Sequence, residues 1–595
     1  MKKKIISLAV VVLLAVSYLT VLAVADTGIE AENGVITAEL QSVMDSATAT
    51  AKIPVSIWTT EIDTAVVEEI ALAKSGYNKD SIRALVDQGK IDTVTLEDVD
   101  KYIAAERRIY AQMQTQAHQA FVNDYAFLKK ASTAEGAYIC SYAPMMIVEL
   151  TTSQIETLAK DSDVNTMYYA PESESCAAIN VGAAVTKADY VRDTGGLSGN
   201  NIKIGMIEKG TIPESTAVLP SGHVTIQTGL NVPDDHSTMV AEIILSNGSY
   251  KGIVPDANLY CTAFSYFTNM CSRTEWLLSQ NVHIINMSFG YTNDFGVYNF
   301  IDKWVDHIAN SHSVHVVVAA GNVENLSHPY HYVMHPAIAY NVVTVGNLDD
   351  KNTAMWNDDE INPSSCYQEV YVNDVATTAN KPDLVAPGTD ITTSSGYTNT
   401  GTSFAAPHVA GIMAQLIQQM PALATLQDLM KAILTASISH SEHQYDSNDA
   451  NFDIYGAGVV NAQDCTYTNY RGTFASSSFS SSEYDTYKEY TFTATNTDTQ
   501  IRVSLAWIKN VLFSSSNAGH VSLPDVEREL ADLDLVIIAP NGAQITLSAD
   551  AKANRNSNLE ILQFNPATYG YGTYKVRVYI NESTGARTYF GLAWW

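Results

Sequence analysis

The stretch GTSFAAPHVAG at positions 401–411 constrains the fold of this chain more than any other part of the sequence. A turn of small residues brings Ser403 to the start of a predicted helix. The apolar positions of that helix have the spacing of a buried element, namely Phe404, Val409, Ile412, Met413, Leu416 and Ile417. Free backbone N–H groups converge at a helix start and stabilise negative charge beside a nucleophilic hydroxyl. The alternative is a serine that only caps a core helix.

These eleven residues resemble the nucleophile motif of the subtilisin-like serine proteases. The resemblance implies a carboxylate, a histidine and an oxyanion-binding asparagine upstream of Ser403, in that order. It implies an α/β fold with a subtilisin-like doubly wound parallel sheet, preceded by an α+β propeptide and followed by an all-β sandwich. Strands and helices alternate along this part of the sequence, which favours a sheet with its site at the C-terminal ends of the strands.

The carboxylate is assigned to Glu208, at the end of the apolar strand predicted for residues 202–207. The family has Asp at this place, so Glu208 departs from its pattern. Asp193 lies in a D-T-G sequence that imitates the family signature, but a short helix rather than a buried strand precedes it. Glutamate has a reference pKa only about 0.4 above that of aspartate, whereas its extra methylene moves the carboxylate by about an ångström.

The base is assigned to His236, which precedes an apolar helix within a sequence that resembles the family motif H-G-T-H-V-A-G. Three positions differ from that motif: Ser237, Met239 and Glu242. An isolated histidine before a helix is more often structural, so the assignment rests on its place in the series. Asp234 and Asp235 are alternative triad acids. Residues adjacent to a histidine in sequence rarely reach the far side of its ring, so we expect these two aspartates to form a solvated turn.

The strand predicted to end at Gly321 is followed by Asn322, where the family has its oxyanion-binding amide. An asparagine that only forms a turn is the alternative. Upstream, Ser288, Phe289 and Gly290 end another buried strand and look like the substrate-binding segment of the family. Peptide substrates of this family bind as an added strand, to which such a segment offers main-chain partners.

The N-terminus indicates export. Three lysines precede an apolar run over residues 5–22, and the small-x-small sequence at 23–25 is typical of signal-peptide cleavage. A membrane anchor is the alternative. No later stretch is apolar enough to span a bilayer, so we expect a secreted, extracellular protein without a membrane partner once the signal is removed.

Charge excludes one class of partner. The chain of 595 residues has 34 Lys and Arg against 64 Asp and Glu, a formal net charge of −30. Nucleic acid carries the same sign and is therefore not an expected partner.

We predict four parts along the chain. They are a signal peptide (1–25), a propeptide that acts as chaperone and inhibitor (26–175), a subtilase catalytic domain (176–464) and a β-sandwich of jelly-roll type (466–595). The propeptide is predicted from a strand, a helix and a second strand between 145 and 168; an N-terminal domain that is never removed is the alternative. Short alternating segments after Cys465 predict the sandwich.

No cofactor is expected for the chemistry, although a structural calcium ion is considered. Asp532 and Asp534 occupy places that match the appended module of the family, and clustered carboxylates suit calcium. Outward polar positions of a strand are the alternative.

The predicted function is a secreted serine endopeptidase that forms an acyl-enzyme, with Ser-His-Glu in place of Ser-His-Asp. Its expected partners are protein or peptide substrates and its own propeptide as inhibitor. One alternative is a catalytically weak or inactive homologue that binds peptides or partners through an intact cleft. Another is adhesion or carbohydrate binding centred on the C-terminal sandwich.

Overall fold

The computed structural model describes residues 35–134, 136–170, 182–213, 217–291, 298–323, 332–367, 371–372, 375–376, 380–438, 444–449, 451–471, 473–511, 530–548, 557–582 and 586–595. The predicted signal peptide and the predicted boundary at 175 and 176 lie outside these residues. Within them, the search for a helix with the length and hydropathy of a membrane span finds none.

An N-terminal segment folds around a four-stranded antiparallel sheet of order β2-β3-β1-β4. Its strands are β1 (Ile53–Thr59), β2 (Tyr138–Ile139), β3 (Met145–Leu150) and β4 (Val164–Tyr169). Its helices are α1 (Ala38–Ser46), α2 (Thr64–Ser75), α3 (Lys79–Asp87), α4 (Leu96–Asp124), α5 (Ala126–Ala131) and α6 (Thr152–Leu158). The predicted strand, helix and strand between 145 and 168 are confirmed as β3, α6 and β4.

The middle of the chain forms an eight-stranded sheet of order β11-β10-β9-β8-β5-β7-β6, with β14 also paired to β10. Its strands are β5 (Lys203–Glu208), β6 (Val224–Ile226), β7 (Asn258–Ala263), β8 (Ile284–Met287), β9 (His315–Ala319), β10 (Val343–Asp349), β11 (Glu360–Ile361) and β14 (Leu384–Pro387). Only the β10–β11 pair is antiparallel among these described strands. The predicted α/β class with a mainly parallel sheet is therefore confirmed.

Helices and two short ribbons surround this sheet. The helices are α7 (Gly182–Val185), α8 (Ala188–Asp193), α9 (Asp235–Leu245), α10 (Phe267–Ser279), α11 (Phe300–Ser311), α12 (Thr402–Gln419), α13 (Gln427–Ala436), α14 (Phe452–Tyr455) and α15 (Ala462–Arg471). The ribbons pair β12 (Tyr371–Val372) with β13 (Val375–Ala376), and β15 (Ile391–Thr392) with β16 (Thr398–Asn399).

Strand β5 lies where the strand order reverses. The chain leaves β5 toward β6 and β7 on one side and then returns to β8 on the other side. Side chains at the carboxyl end of such a strand face a crevice between diverging connections, which is where open α/β sheets bind ligands. Glu208 is the last residue of β5.

The C-terminal part consists of two four-stranded sheets whose inner faces share one apolar core. We call this part the double sheet. One sheet has the order β17-β24-β19-β22 and the other β18-β23-β20-β21. The elements are β17 (Phe474–Phe479), β18 (Thr486–Ala494), β19 (Ile501–Trp507), β20 (Asp532–Ile538), β21 (Gln544–Ile545), β22 (Leu559–Phe564), α16 (Pro566–Tyr569), β23 (Gly572–Glu582) and β24 (Thr588–Trp594). The predicted start at 466 falls within α15, so the change to strands comes a few residues later.

Candidate active site

Ser403 is the second residue of α12, and its side chain is buried. The preceding turn is held by Gly401 N–H, which donates to the Gly388 carbonyl at 2.8 Å. A Cβ on Gly388 would lie 2.6 Å from the Gly401 carbonyl oxygen, so this approach requires glycine. Pro407 lies inside the helix and has no N–H to donate to the carbonyl four residues earlier.

The buried carboxylate of Glu208 lies against the half-buried imidazole of His236. Glu208 Oε2 lies 3.0 Å from His236 Nδ1, and the carboxyl group is completely shielded from solvent. Burial raises the pKa of Glu208, an effect opposed by the charge and hydrogen bond of His236 and by the backbone N–H of Ser288. The extra methylene of glutamate is therefore accommodated within hydrogen-bonding distance of the ring.

His236 is held by the first turn of α9. The Asp234 side chain caps the helix by accepting from Ser237 N–H at 3.0 Å, and Ser237 Oγ donates to the Gly210 carbonyl at 2.9 Å. Asp234 is therefore a helix cap rather than part of a merely solvated turn, whereas Asp235 is exposed. These bonds tie the turn that carries His236 to the chain that leaves β5.

The imidazole also contacts the helix of Ser403. The rings of His236 and Phe404 meet edge to face, with centroids 5.0 Å apart. Within the described residues, His236 Nε2 is buried and makes no hydrogen bond. The acid and the base are thus positioned beside the N-terminus of α12, with Nδ1 directed to Glu208 and Nε2 available to a hydroxyl.

Asn322 lies three residues after the end of β9 and is fixed to the loop that carries Ser403. Its Oδ1 accepts from Thr402 N–H at 2.9 Å, while Gly321 N–H donates to Thr402 Oγ1 at 3.0 Å. Because Oδ1 is engaged with the backbone before Ser403, Nδ2 is the end of the amide that can donate to a developing oxyanion.

The predicted substrate-binding segment lies beside this group. Ser288 Oγ accepts from Asn286 Nδ2 at 2.8 Å, and Ser288 N–H faces the Glu208 carboxylate. The Phe289 ring is buried against Phe264, with centroids 4.3 Å apart. The Phe289 side chain is therefore part of the core, and main-chain pairing of this segment with a peptide stays a prediction.

Sequence reasoning missed Met334, a half-buried residue that packs over two glycines at the ends of β8 and β9. A Cβ on Gly290 would lie 2.6 Å from Met334 Cβ, and one on Gly321 would lie 2.5 Å from Met334 Cγ. Gly321 also has φ +107°, in the left-handed region. The Met334 side chain thus occupies the space between the segments of Gly290 and Asn322.

Two of the positions that differ from the family motif have structural roles. Ser237 anchors the turn of His236, and the Glu242 carboxylate accepts hydrogen bonds from the backbone and hydroxyl of Ser395. Met239 is buried in the core. These departures are explained by packing and hydrogen bonding near the site.

Other predicted carboxylates lie elsewhere. Asp193 ends α8 and pairs with Arg192 at 2.7 Å, so it does not join Glu208 and His236. Asp532 and Asp534 accept from Asn581 Nδ2 at 3.1 and 3.0 Å in the double sheet. Within the described residues, no group of three or more His, Cys, Asp or Glu is arranged to hold a metal. Calcium prefers six to eight oxygen ligands, so an ion here stays a prediction.

Comparison with known proteins gives consistent results. The sequence model described as "Subtilase family" matches residues 19–458. The serine protease AprX of Bacillus subtilis (strain 168) is 27% identical over 359 residues, covering 53% of this chain and 77% of that protein. Subtilisin DY of Bacillus licheniformis is 27% identical over 300 residues, covering 47% of this chain and 96% of that protein.

One solved structure that matches is that of the patellamide maturation protease PatA. It covers 46% of this chain and 98% of its own, at a TM-score of 0.37 and 23% identity. The range matched by the family model contains Glu208, His236, Asn322 and Ser403.

Proposed function

Because the chain belongs to the subtilase family of serine proteases, we propose that it is a serine endopeptidase whose triad is Ser403, His236 and Glu208. The observation that carries this proposal is the contact between the buried Glu208 carboxylate and the His236 imidazole beside the N-terminus of α12. A carboxylate shielded from water orients the imidazole and stabilises its charged form, which is the role of the acid in such a triad.

The proposed reaction is acyl transfer. Ser403 Oγ attacks the peptide carbonyl, and His236 Nε2 takes its proton and later gives that proton to the leaving amine. Asn322 Nδ2 and the Ser403 N–H donate to the oxyanion. Water then attacks the acyl-enzyme by the same route and releases the second product.

The inactive-homologue alternative receives less support than the sequence suggested. Its evidence was the set of departures at Glu208, Ser237, Met239 and Glu242. Glu208 reaches the imidazole, and the other three departures have roles in packing or hydrogen bonding.

The proposal has three secondary parts: export, inhibition by the N-terminal segment and binding of a structural calcium ion. Export is supported by the lysine-led apolar N-terminus. Inhibition is supported by the place of the four-stranded N-terminal sheet, in which the ring of Tyr168 lies 5.7 Å from that of Phe300 in α11. N-terminal sequencing of the protein recovered from culture medium tests both the signal cleavage and the later cut.

The experiment for the central proposal is hydrolysis of a fluorescently labelled protein by the purified parent, by Ser403→Ala and by Ser482→Ala. Ser482 is an exposed serine of the double sheet and serves as the matched control. We expect Ser403→Ala to lose about 10⁶-fold in turnover, the scale seen when a triad member is removed. Equal activity of parent and Ser403→Ala would refute the assignment.

A further inference from the structure

Glu242 joins the helix of the proposed base to the hairpin that leads into the turn of Ser403. It lies on α9, the helix of His236, and its side chain is almost completely buried. Its Oε2 accepts from Ser395 N–H at 3.0 Å, and its Oε1 accepts from the Ser395 hydroxyl. Ser395 lies in the turn between β15 and β16, which pair as an antiparallel hairpin over residues 391–399. We call this segment the β15–β16 hairpin.

The hairpin is also bound to both ends of α9. Next to His236, the Asp235 carboxylate accepts a hydrogen bond from Tyr397 and thereby raises the pKa of the tyrosine hydroxyl. Directly after α9, the Ser246 hydroxyl donates to Ser394 Oγ at 3.0 Å. Polar contacts therefore hold the hairpin along the whole length of the helix that carries the base.

The hairpin continues directly into the turn of Ser403. Strand β16 ends at Asn399, and Thr400 Oγ1 then accepts from Asp390 N–H at 2.9 Å, which closes the base of the hairpin. Gly401, the cap of α12, follows. A displacement of the hairpin is therefore passed to Ser403 over a few residues, while the base stays on α9.

Packing alone does not fix the hairpin at this place. A cavity of about 260 Å³ lies between the hairpin, α9 and α12. Its wall includes Glu242 and Ile243 of α9, Ile391 and Ser394 of the hairpin, and His408 of α12. Atoms that border a cavity lack dispersion contacts on that side. The position of the hairpin on this side therefore depends more on hydrogen bonds than it would in a filled core.

From these contacts we propose that Glu242 is a positioning residue for the reaction. By holding the β15–β16 hairpin against α9, it sets the position of the Ser403 hydroxyl relative to His236 Nε2. The motif that this helix resembles has glycine in place of Glu242, so the link is a feature of this chain. The proposal rests on the proposed function, because it requires that Ser403 and His236 react together.

Loss of the link should lower turnover and leave substrate binding unchanged. Glu242→Gln keeps one acceptor and replaces the other with a donor, so at least one of the two bonds to Ser395 is lost. Small misplacements of reacting groups lower the rate of the chemical step. We expect kcat to fall by about ten- to a hundredfold in Glu242→Gln, with KM within about twofold of the parent. Initial rates on a peptide substrate measure the two constants separately.

Ser395 provides partner variants that leave α9 untouched. Ser395→Ala removes the hydroxyl contact, whereas Ser395→Thr keeps a hydroxyl at this exposed residue and should retain the turnover of the parent. Because Glu242 and Ser395 form one link, Glu242→Gln with Ser395→Ala should be no more than about twofold slower than the slower single variant. Glu360→Gln is the matched control, since the Glu360 side chain is 72% exposed on the edge strand β11.

The pH profile separates positioning from an effect of charge. A displaced hydroxyl lowers the plateau of kcat/KM, whereas the acid limb, which reports the pKa of the base in the free enzyme, stays in place. Loss of a negative charge that acts on the imidazole would move the acid limb to lower pH. A moved acid limb with an unchanged plateau in Glu242→Gln would overturn the proposal.

The remaining outcomes are also decisive. An unchanged kcat in Glu242→Gln, or effects of Glu242→Gln and Ser395→Ala that multiply, would show that the link does not position Ser403, while the protease assignment stands. If the parent neither hydrolyses a labelled protein nor reacts with a fluorophosphonate at Ser403, the proposed function fails and this proposal falls with it. Ser395→Ala decides the question even if Glu242→Gln does not fold.

Discussion

At the scale of single residues, the proposed triad has a glutamate, Glu208, beside the imidazole of His236. The strand end is set by the pairing of β5 with β7 and β8, and the carboxylate still reaches His236 Nδ1 at 3.0 Å. The distance between the end of β5 and the imidazole therefore fits the length of a glutamate side chain. A shorter acid at the same strand end would leave a gap of about an ångström.

Glu208→Asp should therefore lower kcat/KM by about a hundredfold, and Glu208→Gln should lower kcat by about 10⁴-fold because an amide cannot stabilise the imidazolium. Substrate binding should change little in both variants. Initial rates on a peptide substrate measure kcat and KM separately. Activity of Glu208→Asp equal to or above that of the parent would show that the site does not favour glutamate.

Met334 should restrict the residue on the acyl side of the cut peptide bond to a small side chain, because its thioether fills the space over Gly290 and Gly321. Met334→Ala should raise kcat/KM for phenylalanine relative to alanine at that position by about 10–100-fold. Two chromogenic peptides that differ only there provide the measurement. Met355→Ala is the control, since Met355 is 60% exposed. An unchanged ratio in Met334→Ala would remove this residue from specificity.

The sequence predicted the residues that end strands or begin helices better than those placed by loops. Glu208, Asn322 and Ser403 could be found because an apolar run stops at each of them or starts just after it. Met334 could not be found, since no periodicity marks it. Its position depends on a hydrogen bond from its N–H to the Ala320 carbonyl, which forms only when the chain after β9 returns to that strand's end.

At the scale of elements, the helices of the N-terminal segment were partly predictable. The alternation of charged and apolar residues from about 96 to 130 predicts one amphipathic helix, whereas the structure has α4 and α5 with a break at Tyr125. Its docking was not predictable, because charged residues such as Arg107 and Glu106 usually indicate a solvated face. In the fold they are buried against carbonyl groups and neighbouring charges.

The stability of the fold around Arg107 and Glu106 should depend on pH. Burial raises the pKa of Glu61 to about 8. Burial also raises the pKa of Glu106, although the charges of Arg107 and Lys79 act in the opposite direction. The folded state then holds protons that the unfolded chain releases near pH 4.5, so stability falls as pH rises toward about 8. Burial lowers the pKa of His312 to about 3 and also lowers the pKa of His307. These imidazoles take up protons more readily in the unfolded chain, so stability rises as pH rises to about 6.5.

Between about pH 4.5 and 6.5 these two effects oppose each other, and above about pH 6.5 only the effect of the carboxyls is left. Thermal unfolding of the uncut Ser403→Ala protein should therefore show a Tm that declines from about pH 6.5 to pH 8. Glu61→Gln with Glu106→Gln should flatten that decline, because an amide has no proton to lose. A Tm that keeps rising between pH 7 and 8, or an equally steep fall in the double variant, would contradict the assignment of these carboxyls.

At the scale of the whole molecule, α13 packs against the double sheet. Arg502 of β19 is buried and donates to the Thr435 carbonyl at 2.9 Å, and Thr435 Oγ1 lies 2.7 Å from Ser504 Oγ. A Cβ on Gly591 of β24 would lie 2.3 Å from Leu429 Cα. The composition change after Cys465 predicted a separate C-terminal unit, but it gave no sign of this close contact.

Gly591→Ala should accordingly push the double sheet away from α13. Overpacking of this kind costs about 1–3 kcal/mol, which should lower the Tm by roughly 2–5 °C. We expect loss of proteolysis and loss of double-sheet structure at the same temperature, measured by residual activity and by circular dichroism. An activity loss in this variant that precedes or follows the double-sheet transition by many degrees would show that the two units unfold separately.

The most direct test of the central claim is the reaction of the parent with a fluorophosphonate, followed by peptide mapping of the adduct. The account predicts one adduct, on Ser403, that forms at least about a thousandfold more slowly in Glu208→Gln and is absent in Ser403→Ala. An adduct on another residue, or a rate in Glu208→Gln equal to that of the parent, would contradict the assignment of Ser403, His236 and Glu208 as the triad.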